Sequence, residues 1–151
     1  MQRFEGEKDF PQAPAELFAR LSDARFLVQC LPDVESVPEL APDHAKLVTR
    51  PSLAFVRGTL NVTLQVVEPV PPTSVRLLVD SKGIASSAKV EAVLNVTPRD
   101  GGSRVHWLAE IRELGGLLKL VPGGLIRGAA QRVLDQVLTA AEAKLREAPP
   151  A

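Results

Sequence analysis

The sequence is poor in the residues on which redox and cofactor chemistry usually depend. It holds one cysteine, one tryptophan and no tyrosine in 151 residues. A lone cysteine cannot form an intramolecular disulfide or a multi-cysteine zinc site, which favours a reducing compartment. Cys30 lies in an apolar stretch before Pro32 without an adjacent base, so we expect a buried and unreactive thiol.

Long apolar runs and an excess of one charge are also absent. No stretch of 18 uninterrupted apolar residues could span a bilayer, and the N-terminal MQRFEGEKDF carries charges where a signal peptide needs an apolar core. Eighteen basic residues balance eighteen acidic ones, which argues against attraction to nucleic acid. We therefore expect a cytoplasmic protein that does not bind nucleic acid.

Patterns of catalytic or metal-binding side chains are missing as well. His44 and His106 have no second ligand three or four residues away. No serine has a neighbouring histidine and acid in a recognisable arrangement, and SKGIASS at 81–87 lacks the Gly-Lys-Ser/Thr order of a phosphate loop. The sequence predicts no catalytic residue, no metal and no cofactor.

Hydrophobic periodicity predicts two short helices followed by a long antiparallel sheet. Residues 3–10 alternate as a strand, and residues 13–21 and 24–30 have helical spacing, with Asp23 placed to cap the second helix. Pro69, Pro71 and Pro72 are expected to end the hydrogen-bond ladder after the strand Val56–Val66, which has the clearest alternation. Alternation of period two predicts six further strands: Val34–Leu40, Ala45–Arg50, Val56–Val66, Val75–Val79, Ala88–Val96 and Val105–Ile111.

A long amphipathic helix is predicted from Leu125 to Arg146. Its apolar stripe contains Ile126, Ala130, Val133, Val137, Ala141 and Leu145, and its opposite side contains Arg132, Asp135, Gln136, Glu142 and Arg146. A sheet with one apolar face needs a cover, and this helix alone is large enough. The predicted fold is α+β, a helix-grip arrangement in which a curved seven-stranded antiparallel sheet wraps around the helix. We expect one domain over 1–147 and a short tail over 148–151.

Four stretches carry a resemblance to a known family. They are FEGEKDFPQAPAELFARLSDARFLVQCLPDVES at 4–36, PSLAFVRGTL at 51–60, SKGIASSAKVEAVL at 81–94 and GGLLKLVPGGLIRGAAQRVL at 115–134. The chain resembles the START-like, or SRPBCC, superfamily, and within it the branch of the carbon monoxide dehydrogenase G subunit (CoxG-like).

The resemblance implies an apolar cavity for a lipid-like or ring-containing molecule. In the CoxG-like branch the resemblance also implies a role associated with a molybdenum hydroxylase, in its maturation, in membrane recruitment or in quinone handling. Some members have a longer C-terminal tail for membrane attachment, whereas this sequence ends in EAPPA at 147–151. We expect at most a weak peripheral contact with the inner face of the membrane.

Small residues among the inward positions predict that the interior is not filled. Such positions leave volume for a ligand unless neighbouring leucines pack into the gaps. Trp107 is either part of the core or a donor to a ligand carbonyl such as that of a quinone. The predicted ligand-binding residues are Gly58, Leu60, Val62, Leu64, Leu77, Val90, Ala92, Leu94, Trp107, Ala109, Ile126 and Ala130.

A glycine-rich junction precedes the long helix. Gly115 and Gly116 are expected to end the last strand, and Pro122-Gly123-Gly124 to lie just outside the helix. Five basic residues against three acidic ones follow from Gly116 onward, which favours an anionic lipid surface only weakly. Between the glycines we predict a movable flap at the cavity mouth, formed by Leu117, Leu118, Leu120 and Val121; a loop packed on its own core is the alternative.

Two other functions stay open at this level. One is an enzyme resembling the polyketide cyclases or aromatases, which would need an inward acid or base such as Glu110 or Asp80. The alternation of the strands places neither inward. The other is an assembly or recruitment scaffold that binds no ligand.

Overall fold

A computed structural model describes residues 2–51 and 58–147. Within these ranges the chain forms seven strands, three α-helices and one 3₁₀ helix. The elements are β1 (Gln2–Phe10), α1 (Pro14–Leu21), α2 (Ala24–Cys30), β2 (Val34–Leu40), β3 (His44–Thr49), β4 (Leu60–Val70), β5 (Ser74–Gly83), β6 (Ser86–Arg99), β7 (Gly102–Gly116), the 3₁₀ helix (Leu117–Leu120) and α3 (Gly123–Glu147).

The strands form one antiparallel sheet in the order β1-β7-β6-β5-β4-β3-β2. Consecutive strands from β2 to β7 are therefore neighbours, and β1 joins beside β7 to make the opposite edge. The inner face packs against the helices, with α3 lying across it, which confirms the predicted helix-grip fold. Residues at alternate positions point outward and carry most of the charge.

The core lies between the inner face and the helices. Trp107 on β7 is 2% exposed, and Phe4 on β1 meets its ring edge-on with the centroids 5.7 Å apart. The ring also lies directly over Gly6, where an added Cβ would come within 2.5 Å of Cζ2. Glycine is required there because the indole occupies the space of a side chain.

Both short helices follow from local sequence signals. Pro14 opens α1, a position where its missing N–H costs no hydrogen bond. Leu17, Phe18 and Leu21 are buried on one side of that helix. At the start of α2, Asp23 Oδ1 accepts a hydrogen bond from Arg25 N at 2.9 Å, as predicted for this cap.

The Asp23 cap gives a first testable prediction. Replacing Asp23 with alanine leaves an amide of α2 without its acceptor and should lower the free energy of unfolding by about 1 kcal/mol. Asp23→Asn is the matched control, because its side-chain oxygen still accepts the bond. Urea denaturation measures both, and an equal loss in the two variants would contradict a capping role.

Several boundaries differ from the sequence-based prediction: β5, β6 and β7 are each longer than predicted, and two further differences involve proline and glycine. The strand β4 runs through Pro69 to Val70, because the register shifts between Val67 and Val70 and a bulge needs no donor from proline. The helix α3 begins at Gly123, so Gly123 and Gly124 lie inside it rather than before it. Residues 52–57, including the predicted strand start at Val56, lie outside the described residues, as do 148–151.

Candidate ligand-binding cavity

A cavity of about 360 Å³ lies between the sheet and α3. Its sheet wall consists of Leu47 and Thr49 on β3, Leu60 and Val62 on β4, and Val79 on β5. The segment after α2, Leu31 to Asp33, and Pro51 close one side. Small-molecule pockets span roughly 300–1,000 Å³, so this cavity has room for one modest ligand.

The helix wall comes from a single stripe of α3. Ala129, Arg132, Val133 and Gln136 line the cavity, at the i, i+3, i+4 and i+7 positions that share one side of a helix. The stripe lies beside the core-facing side of α3, where Val137, Leu138 and Ala141 are buried. One helix therefore closes the core with one side and lines the cavity with the next.

The polarity of the cavity lining changes from its interior to its rim. Nine of the thirteen lining residues are apolar, and Leu47 among them is fully buried. The charged and amide side chains, Asp33, Arg132 and Gln136, are exposed, and the Thr49 hydroxyl lies on a half-buried residue. The cavity thus combines an apolar interior with a small polar rim.

The 3₁₀ helix lies against the tip of the β5–β6 hairpin. Leu117 N donates to Ala85 O at 2.8 Å, and Gly116 pairs with Ser86. Gly116 has φ +61°, and a Cβ there would collide with Ala85 O, so this close approach requires glycine. The junction is therefore tightly packed at its strand end.

Beyond that contact, apolar side chains project into solvent at the same end of the molecule. Ile84 is 79% exposed and Leu120 80% exposed, and Leu117 and Leu125 are each more than half exposed. Leu118 is 7% exposed and anchors the 3₁₀ helix on the core. Of the four residues predicted to form a flap, two therefore face solvent, Leu118 is buried and Val121 is half-buried.

Comparison with known proteins assigns the chain to a family. The family model for the carbon monoxide dehydrogenase G subunit (CoxG) matches residues 6–146. The chain belongs to the CoxG family. A search of curated proteins gives no match.

Solved structures show that the CoxG chain has the START-like fold. A conserved protein from Geobacillus kaustophilus superposes with a TM-score of 0.85 at 20% identity, covering 97% of this chain and 96% of that one. A START superfamily protein from Mycobacterium smegmatis gives a TM-score of 0.70 at 14% identity, covering 96% and 97%. The protein Ara h 8.0201 gives 0.67 at 16% identity, covering 97% and 99%.

The predicted ligand-binding residues of the CoxG chain fall into three groups. Leu60 and Val62 lie in the lining of the cavity. Gly58 is exposed, and Val90 and Ala130 are half-buried against the core. The remaining predicted positions are buried in the core: Leu64, Leu77, Ala92, Leu94, Trp107, Ala109 and Ile126.

The predicted ligand-binding residues include none of the four α3 residues that line the cavity. Arg132 and Gln136 were expected on the solvent side of the long helix, and the structure places both in the cavity lining. Both residues are exposed, as expected, but they also line the cavity rim, because a helix resting on a curved sheet has a side that lies between its buried face and its solvent face. The i, i+3, i+4, i+7 spacing of Ala129, Arg132, Val133 and Gln136 was the available signal.

Acidic residues on the central strands lie outside the cavity. Glu110 is on the outer face of the sheet, where Arg3 and Arg112 bind its carboxylate at 2.5 and 2.6 Å and hold its pKa below the usual range. Asp80 also points outward, opposite Lys89 in the β5–β6 register. Neither carboxylate is placed to act on a molecule in the cavity.

The two histidines and the cysteine, the other candidate reactive groups, are either paired with carboxylates or buried. His106 contacts Glu5 at 2.9 Å on the outer face, and His44 contacts Asp43 and Glu39. Burial raises the pKa of the Cys30 thiol to about 11, which keeps it protonated and unreactive. Over the described ranges, no group of three or more histidine, cysteine or acidic residues could hold a metal ion.

Proposed function

We propose that the protein binds and carries a hydrophobic small molecule, a lipid or quinone-like compound, without catalysing a reaction on it. The observation that carries this proposal is the largely apolar cavity between the sheet and α3. The CoxG family and the START-like fold support the same function. Each Å² of apolar ligand surface removed from water would contribute about 25 cal/mol.

The proposal is tested with a neutral apolar probe. N-phenyl-1-naphthylamine fluoresces in apolar surroundings, so titration should give a saturable rise with about one site per chain. Native mass spectrometry of freshly purified protein should show a copurified apolar compound that a denaturing extract releases. Absence of saturable probe binding would contradict the carrier function and favour a scaffold without a ligand.

The exposed apolar end offers a route by which ligand could exchange with a membrane. Ile84, Leu117, Leu120 and Leu125 form this apolar end, and Lys82, Lys119 and Arg127 nearby are exposed. Apolar side chains inside a partly basic surface suit the interface of an anionic bilayer. We infer a weak peripheral contact, which lets a poorly soluble ligand enter without crossing water. Over residues 2–51 and 58–147, no helix is long and apolar enough to cross a bilayer.

Replacing Leu120 with serine should weaken binding to anionic vesicles by roughly tenfold, since a leucine side chain contributes about 1.5–3 kcal/mol when it leaves water. Leu108→Ser is the matched control, because Leu108 is an exposed leucine on the outer face of the sheet. Cosedimentation with phosphatidylglycerol-containing vesicles measures both variants. Equal binding by the two would show that the apolar end does not contact the bilayer.

We infer that the carried molecule serves a molybdenum hydroxylase such as carbon monoxide dehydrogenase. The family's name supports this link. Tagged protein should copurify with such an enzyme when both are expressed in the native host. Recovery of the tagged protein without the hydroxylase, under conditions that preserve the enzyme's own assembly, would contradict the partnership.

A further inference from the structure

We propose that the cavity selects a single-chain amphipathic molecule with a carboxylate head, and that Arg132 binds that head. This inference rests on the proposed carrier function and names the ligand class of the same cavity. Its basis is the placement of one arginine beside an otherwise apolar wall, on the same stripe of α3 as Ala129, Val133 and Gln136.

Arg132 differs from the arginines on the sheet. Arg76, Arg104 and Arg112 each pair with carboxylates on the outer face. Among the described residues no salt bridge engages Arg132, so its guanidinium keeps its donors for another partner. A guanidinium is planar and binds a carboxylate through two parallel hydrogen bonds, which gives orientation as well as affinity.

The neighbours of Arg132 define the rest of the head site. Gln136 lies one turn further along the same stripe and supplies an amide donor. The Thr49 hydroxyl belongs to the sheet wall. Asp33, at the turn between α2 and β2, is the one acidic residue of the lining and opposes an anionic head. Because Asp33 is exposed, water and salt weaken that repulsion.

The size and polarity of the cavity limit the body of the ligand. About 360 Å³ is near the lower end of the range for small-molecule pockets, which suits one alkyl chain rather than a lipid with two acyl chains. Apolar side chains form most of the wall, and the charged groups stand only at the exposed rim. A ligand whose alkyl chain lies in the interior and whose head lies at the rim places its apolar part against the apolar wall and its charged part beside the charged groups.

The experiment compares decanoate with decanol as competitors for bound N-phenyl-1-naphthylamine. The two share a chain and differ in the head, so the wild-type protein should release the probe at a lower concentration of decanoate. Arg132→Gln should raise the decanoate midpoint by about tenfold and leave the decanol midpoint unchanged. Asp33→Asn should lower the decanoate midpoint, because it removes the like charge, and should leave decanol unaffected.

Two further variants separate recognition of the head from general effects. Arg146→Gln removes the same charge from the same helix, at an exposed position outside the cavity lining, and should change neither midpoint. Arg132→Lys keeps the charge without the planar fork and should fall between the wild type and Arg132→Gln. Circular dichroism melts show whether each variant is folded; Arg132 is exposed, so its replacement should not unfold the chain.

The outcomes distinguish this inference from the carrier function. Equal displacement by decanoate and decanol, or an Arg132→Gln variant that weakens both alike, would overturn head recognition while probe binding still supports the carrier. A protein that binds no probe and neither competitor would overturn both proposals together.

Discussion

Replacing Ala129 with phenylalanine is expected to lower the affinity for a neutral apolar probe by at least about tenfold. Ala129 lines the cavity from α3 and is half-buried rather than part of the core. A phenyl ring at this position extends into space that a ligand would occupy, so it competes with the ligand without overpacking the core. Tenfold corresponds to about 1.4 kcal/mol of binding free energy.

The chain supplies a matched control for this variant. Ala143→Phe is the same substitution on the same helix, at an exposed position away from the cavity lining. Fluorescence titration with N-phenyl-1-naphthylamine measures binding in both, and thermal melts monitored by circular dichroism compare their folding. If Ala129→Phe binds the probe as tightly as Ala143→Phe, the cavity is not where the probe resides.

Replacing Trp107 with alanine is expected to produce the largest loss of stability in the chain, about 3–5 kcal/mol. The indole is 2% exposed and packs between Phe4 and the backbone of Gly6. Its removal loses both the apolar area buried on folding and the contacts of the surrounding atoms, which relax only partly into the void. The free energy of unfolding of a native domain is about 5–15 kcal/mol in total, so the variant should be close to unfolding at elevated temperature.

Leu108→Ala is the control for the tryptophan variant. Leu108 is the next residue along β7 and lies on the outer face, 38% exposed, so its truncation should cost less than about 1 kcal/mol. Urea denaturation followed by circular dichroism measures both variants without relying on the lost tryptophan. Similar losses at 107 and 108 would contradict the assignment of inner and outer faces.

Gly6→Ala offers an independent test of the same core. An added methyl would come within 2.5 Å of the indole, so the ring or the strand must shift, at a typical cost of about 1–3 kcal/mol. The variant retains Trp107, so a change in its fluorescence reports the displacement directly. Unchanged stability and an unchanged spectrum would mean that the ring does not lie over Gly6.

Local patterns of the sequence were enough to predict the order of elements. Alternation along residues 105–111 places Val105, Trp107, Ala109 and Ile111 on one face, and all four are buried. The cap at Asp23 was also predictable, since it depends on residues two positions apart. Such features are local, because period and capping are properties of a short segment of chain.

The junction before α3 was predictable in composition and not in detail. Gly116 permits a positive φ and a close contact with Ala85, whereas an added Cβ at Gly124 or Gly128 would meet no atom within 4 Å. The sequence shows glycines throughout this segment and cannot distinguish these cases. Which of Leu117, Leu118 and Leu120 is buried depends on how the 3₁₀ helix rests on the sheet.

Each strand and helix shows its buried face in its own periodicity, so the residue pattern was enough to predict an antiparallel sheet covered by one amphipathic helix. The position of the cavity between sheet and helix could not be predicted in this way, because it depends on how the elements pack together. Arg132 and Gln136 belong to the polar side of an isolated helix, and they reach the cavity because α3 lies on the sheet at one particular rotation. The rotation of α3 on the sheet depends on contacts among segments that are far apart in the chain, so it cannot be predicted from the sequence of any one segment.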